Sequence, residues 1–415
     1  MDRLHCALNT KLLGGLAFLP VALLATNAQA TLPTYNLTPL DRAPNHSLVH
    51  LNDPMDVNEN GVIAGAPAGF FFGPSSVSRP VRWDSPTSEG VVLDGLSSGV
   101  PGSLLPNSYA EAVNNSSITV GRSTKFENAE NVGIRAVYWL ANSTTPVELP
   151  PAPDRVDSQG NWFSSATSIT DGGLVAGESS GRPVIWNSVT STPVELHSGL
   201  GRADSLNETR QAGGFIIVKP GNSSGLQPVR WEADGSRTDL AHLGVSTSGV
   251  PAGSALAINS AGDTAGYSMA YDATGYRIGE RAAFWAAGQS DVTVLPLPQV
   301  GFDDIGNVRA FDMNDSSTIV GSFIGLPTGA TSYESHGVLW HSPAGEMVIL
   351  DSLLNDAAGW HVRSALAINE LGWIAAVAKG PNERDAMVLL TPVPEPTNLA
   401  LALAATLFYF GRRRR

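Results

Sequence analysis

Residues able to do chemistry are sparse and dispersed in this 415-residue chain. The single cysteine, Cys6, lies in the first apolar segment, so thiol nucleophiles, disulfides and thiolate metal sites are excluded from the remainder. Asp56, Asn58 and Asn60, followed by Gly61, have the alternating oxygen spacing of a calcium loop, but the loop's twelfth position is Pro67, where a bidentate carboxylate is needed. Asp312, Asn314 and Ser316 repeat that spacing more weakly. Both stretches are expected to be Asn-rich hairpin turns, with no metal and no cofactor; calcium is the one ion the spacing would suit. Histidines 197, 242, 336, 341 and 361 are scattered, and His46 and His50, four apart, lack a helical pattern to put them on one face. Asp303 and Asp304 could serve glycoside hydrolysis, yet adjacent acids in one loop are expected to be surface charge. No nucleophile-elbow pattern groups Ser with His and Asp. The expectation is a chain without catalytic residues, with a secreted polysaccharide-active glycosidase or lyase as the alternative.

Aromatic side chains offer a second kind of site. Phe71 with its neighbours Phe70 and Phe72, Trp162, Tyr271, Tyr276 and Trp360 fall in segments of variable length, close to Asp, Asn and Gln. Flat rings with polar neighbours suit stacking on sugar rings; the plainer alternative is that they pack over the ends of sheets.

The elements that must position these residues are repeated. An Asn closes a short alternating run at Asn58, Asn114, Asn207, Asn259, Asn314 and Asn369, with Thr170 in the same place of one copy. Seven residues later stands Gly65, Gly121, Gly177, Gly214, Gly266 or Gly321, and Ala376 in the last copy. The constant offset means a first hairpin of fixed length, and the Gly suits a close backbone approach between sheets. A third run ends in Trp83, Trp139, Trp186, Trp231, Trp285 and Trp340, with Leu389 expected in that place of the last copy. A fourth run ends in Leu93, Leu149, Leu196, Leu240, Leu295 and Leu350. The seventh such Leu is found at the other end, where Leu37 and Leu40 reproduce the Leu93 and Leu96 pair, Leu37 taking the place of Leu93.

Four short antiparallel strands cannot bury both faces of their sheet alone, so the copies must stack. The expected fold class is all-β, a seven-bladed β-propeller of four-stranded antiparallel blades, closed by an N-terminal strand. From Gly to Trp the spacing runs from 9 to 19 residues, and from Leu to the next Asn from 11 to 21. These two sets of loops share one face, and variable loops carry function more often than fixed turns, so the binding face is expected there.

The repeat, Ala-x-x-Ile-Asn, then Gly-x-x-Ala-Gly, Ala-x-x-Trp and Leu, resembles the HAF-type extracellular repeat over residues 35–391; the fourth copy departs from it most. That resemblance implies export and a propeller-like fold, and supplies no reaction.

Both ends read as processing signals. Arg3 and Lys11, an apolar run from Leu12 to Ala25 and Ala28-Gln29-Ala30 make residues 1–30 a signal peptide for signal peptidase. Val393, Pro394, Glu395 and Pro396, an apolar segment 399–410 and Arg412, Arg413, Arg414 and Arg415 resemble the PEP-CTERM sorting signal. This resemblance implies an exosortase-type partner, transient inner-membrane anchoring through a short helix, and a place at the cell surface or in the extracellular matrix, where biofilm exopolysaccharide is a partner. The domains are thus 1–30, a propeller over 31–391 and a sorting segment over 392–415. Of 25 basic residues, Arg3, Lys11 and Arg412 to Arg415 leave with the ends, and of 38 acidic ones Asp2 and Glu395, which leaves a balance near −17. Such a surface repels nucleic acid.

Overall fold

The computed structural model describes residues 33–41, 55–65, 70–72, 75–96, 106–127, 130–152, 162–219, 221, 223–298 and 300–394. The signal segment, His46, His50, Pro67, Glu395, Pro396, the apolar segment 399–410 and the arginine tail lie outside the described residues, as does the Phe71 side chain.

Short alternating runs separated by turn residues favour pairing with their neighbours in sequence, and every blade strand but the closing Tyr35–Pro39 does so. Seven four-stranded antiparallel sheets form. Their first strands are Met55–Val57, Ser108–Val113, Ser164–Ile169, Gly201–Leu206, Gly253–Ile258, Phe302–Met313 and His361–Ile368, which begin blades 1 to 7. Each touches the first strands of both neighbouring blades, and Met55–Val57 touches those of blades 2 and 7. That cycle makes the first strands innermost around an axis, so the fold is a seven-bladed β-propeller. Tyr35–Pro39 pairs with Asp385–Pro392 and completes the last blade, closing the ring. The closing blade extends past the expected boundary at 391, since Val393 N–H donates to Thr34 O at 2.8 Å.

Between blades the core is built from the Trp and Leu markers. The six Trp residues are buried, and Trp139, for example, packs with Leu93 of the preceding blade. The indole then donates to the carbonyl following that Leu: Trp139 Nε1 to Asp94 O at 3.0 Å, Trp186 to Pro150 O at 2.8 Å, Trp285 to Ala241 O at 2.8 Å and Trp340 to Pro296 O at 2.9 Å. Truncating such a ring to Ala costs about 3–5 kcal/mol.

This bond corrects the register of the closing blade. Trp83 Nε1 donates to Asp41 O at 2.7 Å, so buried Leu40, not half-buried Leu37, stands with Leu93. Leu40 N–H donates to Met387 O as Leu295 N–H does to Ala282 O. In blade 5 Thr264 opposes Trp285, and in blade 7 Ile374 opposes Leu390, so Leu390 rather than Leu389 replaces the Trp. Without an indole to mark the position, two adjacent leucines in sequence look alike.

The conserved spacing to Gly also has a different cause from the one expected. Gly266 opposes Ala255 where the first strand of blade 5 bulges between Ala255 and Ala257. A Cβ on Gly266 would lie 2.0 Å from Ser254 O, and one on Gly121, Gly177, Gly214 or Gly321 at 1.9–2.1 Å from the matching carbonyl. The close approach is onto the blade's own bulged strand, not between sheets.

Candidate functional site in the axial channel

Each fixed turn but that of blade 3, where Thr170 stands at the marker, is organised by its Asn. Asn58 Oδ1 accepts from the Asn60 and Val62 amides at 3.0 and 2.9 Å, while Asn58 Nδ2 donates to Asn114 O on the next blade at 2.8 Å. The interblade bond recurs from Asn114 to Thr170 O, Asn207 to Asn259 O, Asn314 to Asn369 O and Asn369 to Asn58 O. One face of the amide shapes the turn and the other ties the ring. The Asn58 oxygen of the calcium-like spacing is thus taken by amide protons, as are both oxygens of Asp56, which accept from Val57 N and Val113 N at 2.8 Å. Asn60 Nδ2 donates to Asn115 O. Asp312 matches Asp56, accepting from Met313 N and Ile368 N at 2.8 Å. Among the described residues no three His, Cys, Asp or Glu side chains cluster to hold a metal ion.

The residue after each marker forms an outer belt. Glu59 N–H donates to Asn115 Oδ1, Asn115 N–H to Asp171, Asp315 N–H to Glu370 and Glu370 N–H to Glu59. These turns surround an axial cavity of about 290 Å³. An axial recess therefore opens at the fixed-turn end, opposite to the face favoured by loop variability. Deep in the channel, burial pushes the Asp56 carboxyl up to about 6 and that of Asp312 up to about 7, with the charge of Asp56 adding to the latter. These two acids sit on blades 1 and 6, with blade 7 between them, so they sense each other across the lumen.

Farther along the inner strands lies a mixed charged group. Glu111 on blade 2 pairs with Arg122 at 2.7 Å, and Arg202 on blade 4 pairs with Asp204 at 2.5 Å. Asp204 also accepts from Ser254 Oγ on blade 5 at 2.5 Å. Glu178 of blade 3 stands between them. Burial raises the carboxyls of Glu111 and Glu178 above the ordinary range, and Arg122 and Arg202 oppose that rise in both. Glu111 and Arg202 are two blades apart, which again places their interaction across the axis. The guanidinium groups stack on aromatic rings: Arg122 on Tyr109 at 4.4 Å, Arg202 on Phe215 at 5.6 Å and Arg309 on Tyr267 at 4.5 Å. Glu280 grips Arg309 with both oxygens, at 2.5 and 2.6 Å. This lumen offers fixed donors and acceptors flanked by rings, the lining that orients a polar ligand.

Of these lumen residues, only Asp56 and Asp312 were singled out by motif. Glu111 and Asp204 each lie three residues before their marker, and Arg122 and Glu178 eight after theirs. Charge compared at equal offsets across copies would have found them.

The aromatic candidates are spread over different blades. Trp162, beside blade 3, lies under the Arg135 guanidinium at 4.0 Å. Tyr271 lines a recess of about 310 Å³ between blades 4 and 5, with Arg277 and Val250. Tyr276 is 70% exposed on the adjoining turn, and Trp360 lies against Gly380 at the start of blade 7. Asp303 and Asp304 are tied locally, to Gly329 N–H at 3.0 Å and to the Tyr333 hydroxyl. Two of the scattered histidines meet: His336 and His361 on blades 6 and 7 lie 5.0 Å apart, His361 bound to Asp351 and His336 stacked on Phe323. They are 25 residues apart in sequence, and only the adjacency of blades unites them.

No family model and no curated protein matches the chain. Among solved structures, the chain is similar to the β-propeller domain of the Trilobed protease from Pyrococcus furiosus, at 9% identity and a TM-score of 0.44, over 88% of this chain and 98% of that one. The GH74 xyloglucanase from Xanthomonas campestris is matched at 8% identity and a TM-score of 0.42, over 81% of this chain and 58% of the xyloglucanase. The polysaccharide lyase Uly1 is matched at 9% and 0.37, over 87% and 98%. Among the described residues no helix is long and apolar enough to cross a membrane.

Proposed function

We propose that this propeller is an exported binding scaffold that holds a polysaccharide in its axial lumen without altering it. The observation that carries the reading is the pairing of the lumen carboxylates. Acid–base cleavage of a glycosidic bond uses two carboxyl groups not tied up in ion pairs, one to protonate the leaving oxygen and one to act as base or nucleophile. Glu111 and Asp204 are held by Arg122 and Arg202, which leaves Glu178 as the one carboxylate of the three without an ion pair among the described residues. Alternating donors and acceptors beside Tyr109, Phe215 and Tyr267 match hydroxyl-rich sugar rings.

The segments at 1–30 and 393–415 support export by signal peptidase and sorting by an exosortase-type enzyme, with transient inner-membrane anchoring and a final place at the cell surface or in the matrix. Exopolysaccharide is the partner such a place supplies. The acidic surface disfavours nucleic acid.

A polysaccharide-active enzyme is favoured by one feature, the raised carboxyl of Glu178, which would suit a general acid. Incubating the purified chain with neutral and acidic exopolysaccharides, while following retention and the release of new chain ends, separates the two. Retention without new ends supports the scaffold; new ends that vanish in Glu178→Gln establish the enzyme.

A further inference from the structure

Charge in the lumen does not balance. Glu111, Glu178 and Asp204 share it with Arg122 and Arg202, and both guanidinium groups are committed to Glu111 and Asp204. Glu178 is half-buried, and its carboxylate makes no hydrogen bond or ion pair among the described residues. Directly opposite it on the first strand of blade 3 stands Ser165, 2% exposed, whose hydroxyl has no hydrogen-bond partner among the described residues. A buried hydroxyl lacking a partner costs free energy that a ligand donor would recover, and the unpaired carboxylate stands at the same register position.

We propose that Glu178 and Ser165 form a subsite for a protonated primary amine on the bound polysaccharide, the chemistry of a hexosamine without its N-acetyl group. Two carboxylate oxygens and one hydroxyl oxygen match the three N–H donors of an ammonium group, and its charge neutralises the third carboxylate. A calcium ion would require six to eight oxygens, about twice what the subsite offers. Arg122 and Arg202 do not compete with the amine, because each is held by its own carboxylate and stacked on a ring. The inference rests on the lumen being the polysaccharide site.

The test is calorimetric titration of the whole protein with glucosamine oligomers, with N-acetylglucosamine oligomers of equal length, and with calcium chloride alone. The glucosamine oligomer is expected to bind about tenfold more tightly than its acetylated counterpart, the worth of one charge-assisted hydrogen bond. Glu178→Gln should abolish that preference. Ser165→Ala, a small change at a buried site, should reduce it and so guards against misfolding of the first variant. Equal binding of both oligomers overturns the amine subsite and leaves the lumen reading standing; binding of neither overturns both. Calcium binding that Glu178→Gln removes would identify a metal site instead.

Discussion

Asn369 Nδ2 donates to Asn58 O at 3.0 Å, joining residues 311 apart in sequence and carrying the interblade belt across the seam of the ring. Covalently, blades 1 and 7 are the two ends of the repeat array. Energetically, that bond makes their junction resemble the others, beside the strand Tyr35–Pro39 that joins the last blade.

Replacing Asn369 by Ala should therefore remove both the seam bond and the acceptor for Trp373 N–H, at a cost of about 1–3 kcal/mol in equilibrium urea unfolding. Thr170→Ala, at a marker that donates no such interblade bond, should cost less. Equal losses would mean the belt contributes nothing beyond turn formation.

Gly266→Ala should destabilise by about 2 kcal/mol or more, because the new Cβ meets Ser254 O within the bulge. Gly235→Ala, at φ +86 with open space around it, should cost only the left-handed strain of about 1 kcal/mol. Thermal midpoints of the two variants measure the difference, and the reverse order would show that the bulge yields to the added methyl.

The spacing of Asn, Gly, Trp and Leu made the blade count and the ring closure legible, because each marker does the same physical work in nearly every blade. Legibility failed where the marker was absent. Leu389 and Leu37 were one and three residues from the true positions, since an aliphatic residue next to another aliphatic carries no signature of the indole's bond to Asp41 O. Ser165 was silent for another reason: a hydroxyl on a strand looks like an ordinary exposed residue until the axis is located.

Trp231 differs from the other Trp markers in having an indole N–H without a hydrogen-bond partner among the described residues, although it is fully buried. Trp231→Phe should consequently cost about 1–2 kcal/mol less than Trp285→Phe, which strands the Ala241 carbonyl. Denaturant midpoints of the two variants give the comparison; indistinguishable losses would show that the indole bonds are worth nothing net.

Asp56 and Asp312 predict a definite pH dependence. Their folded values, about 6 and about 7, lie above the ordinary carboxylate value, so between about pH 4 and 7 the folded state holds protons that the unfolded state has released. Their contribution is fully present in acid and is lost as pH rises through 6 to 7. The stability difference between the unaltered protein and Asp56→Asn/Asp312→Asn should thus move against the unaltered protein as pH rises over that window. A difference independent of pH would contradict the buried-acid assignment.

The central claim is that polysaccharide enters the axial lumen, and the hydrogen-exchange footprint of the bound protein tests it most directly. Saturation with polysaccharide should slow amide exchange in the inner strands Ser108–Val113, Ser164–Ile169 and Gly201–Leu206. Protection confined to the outer turn Asp272–Tyr276 and the recess around Tyr271, with the inner strands unchanged, would contradict it.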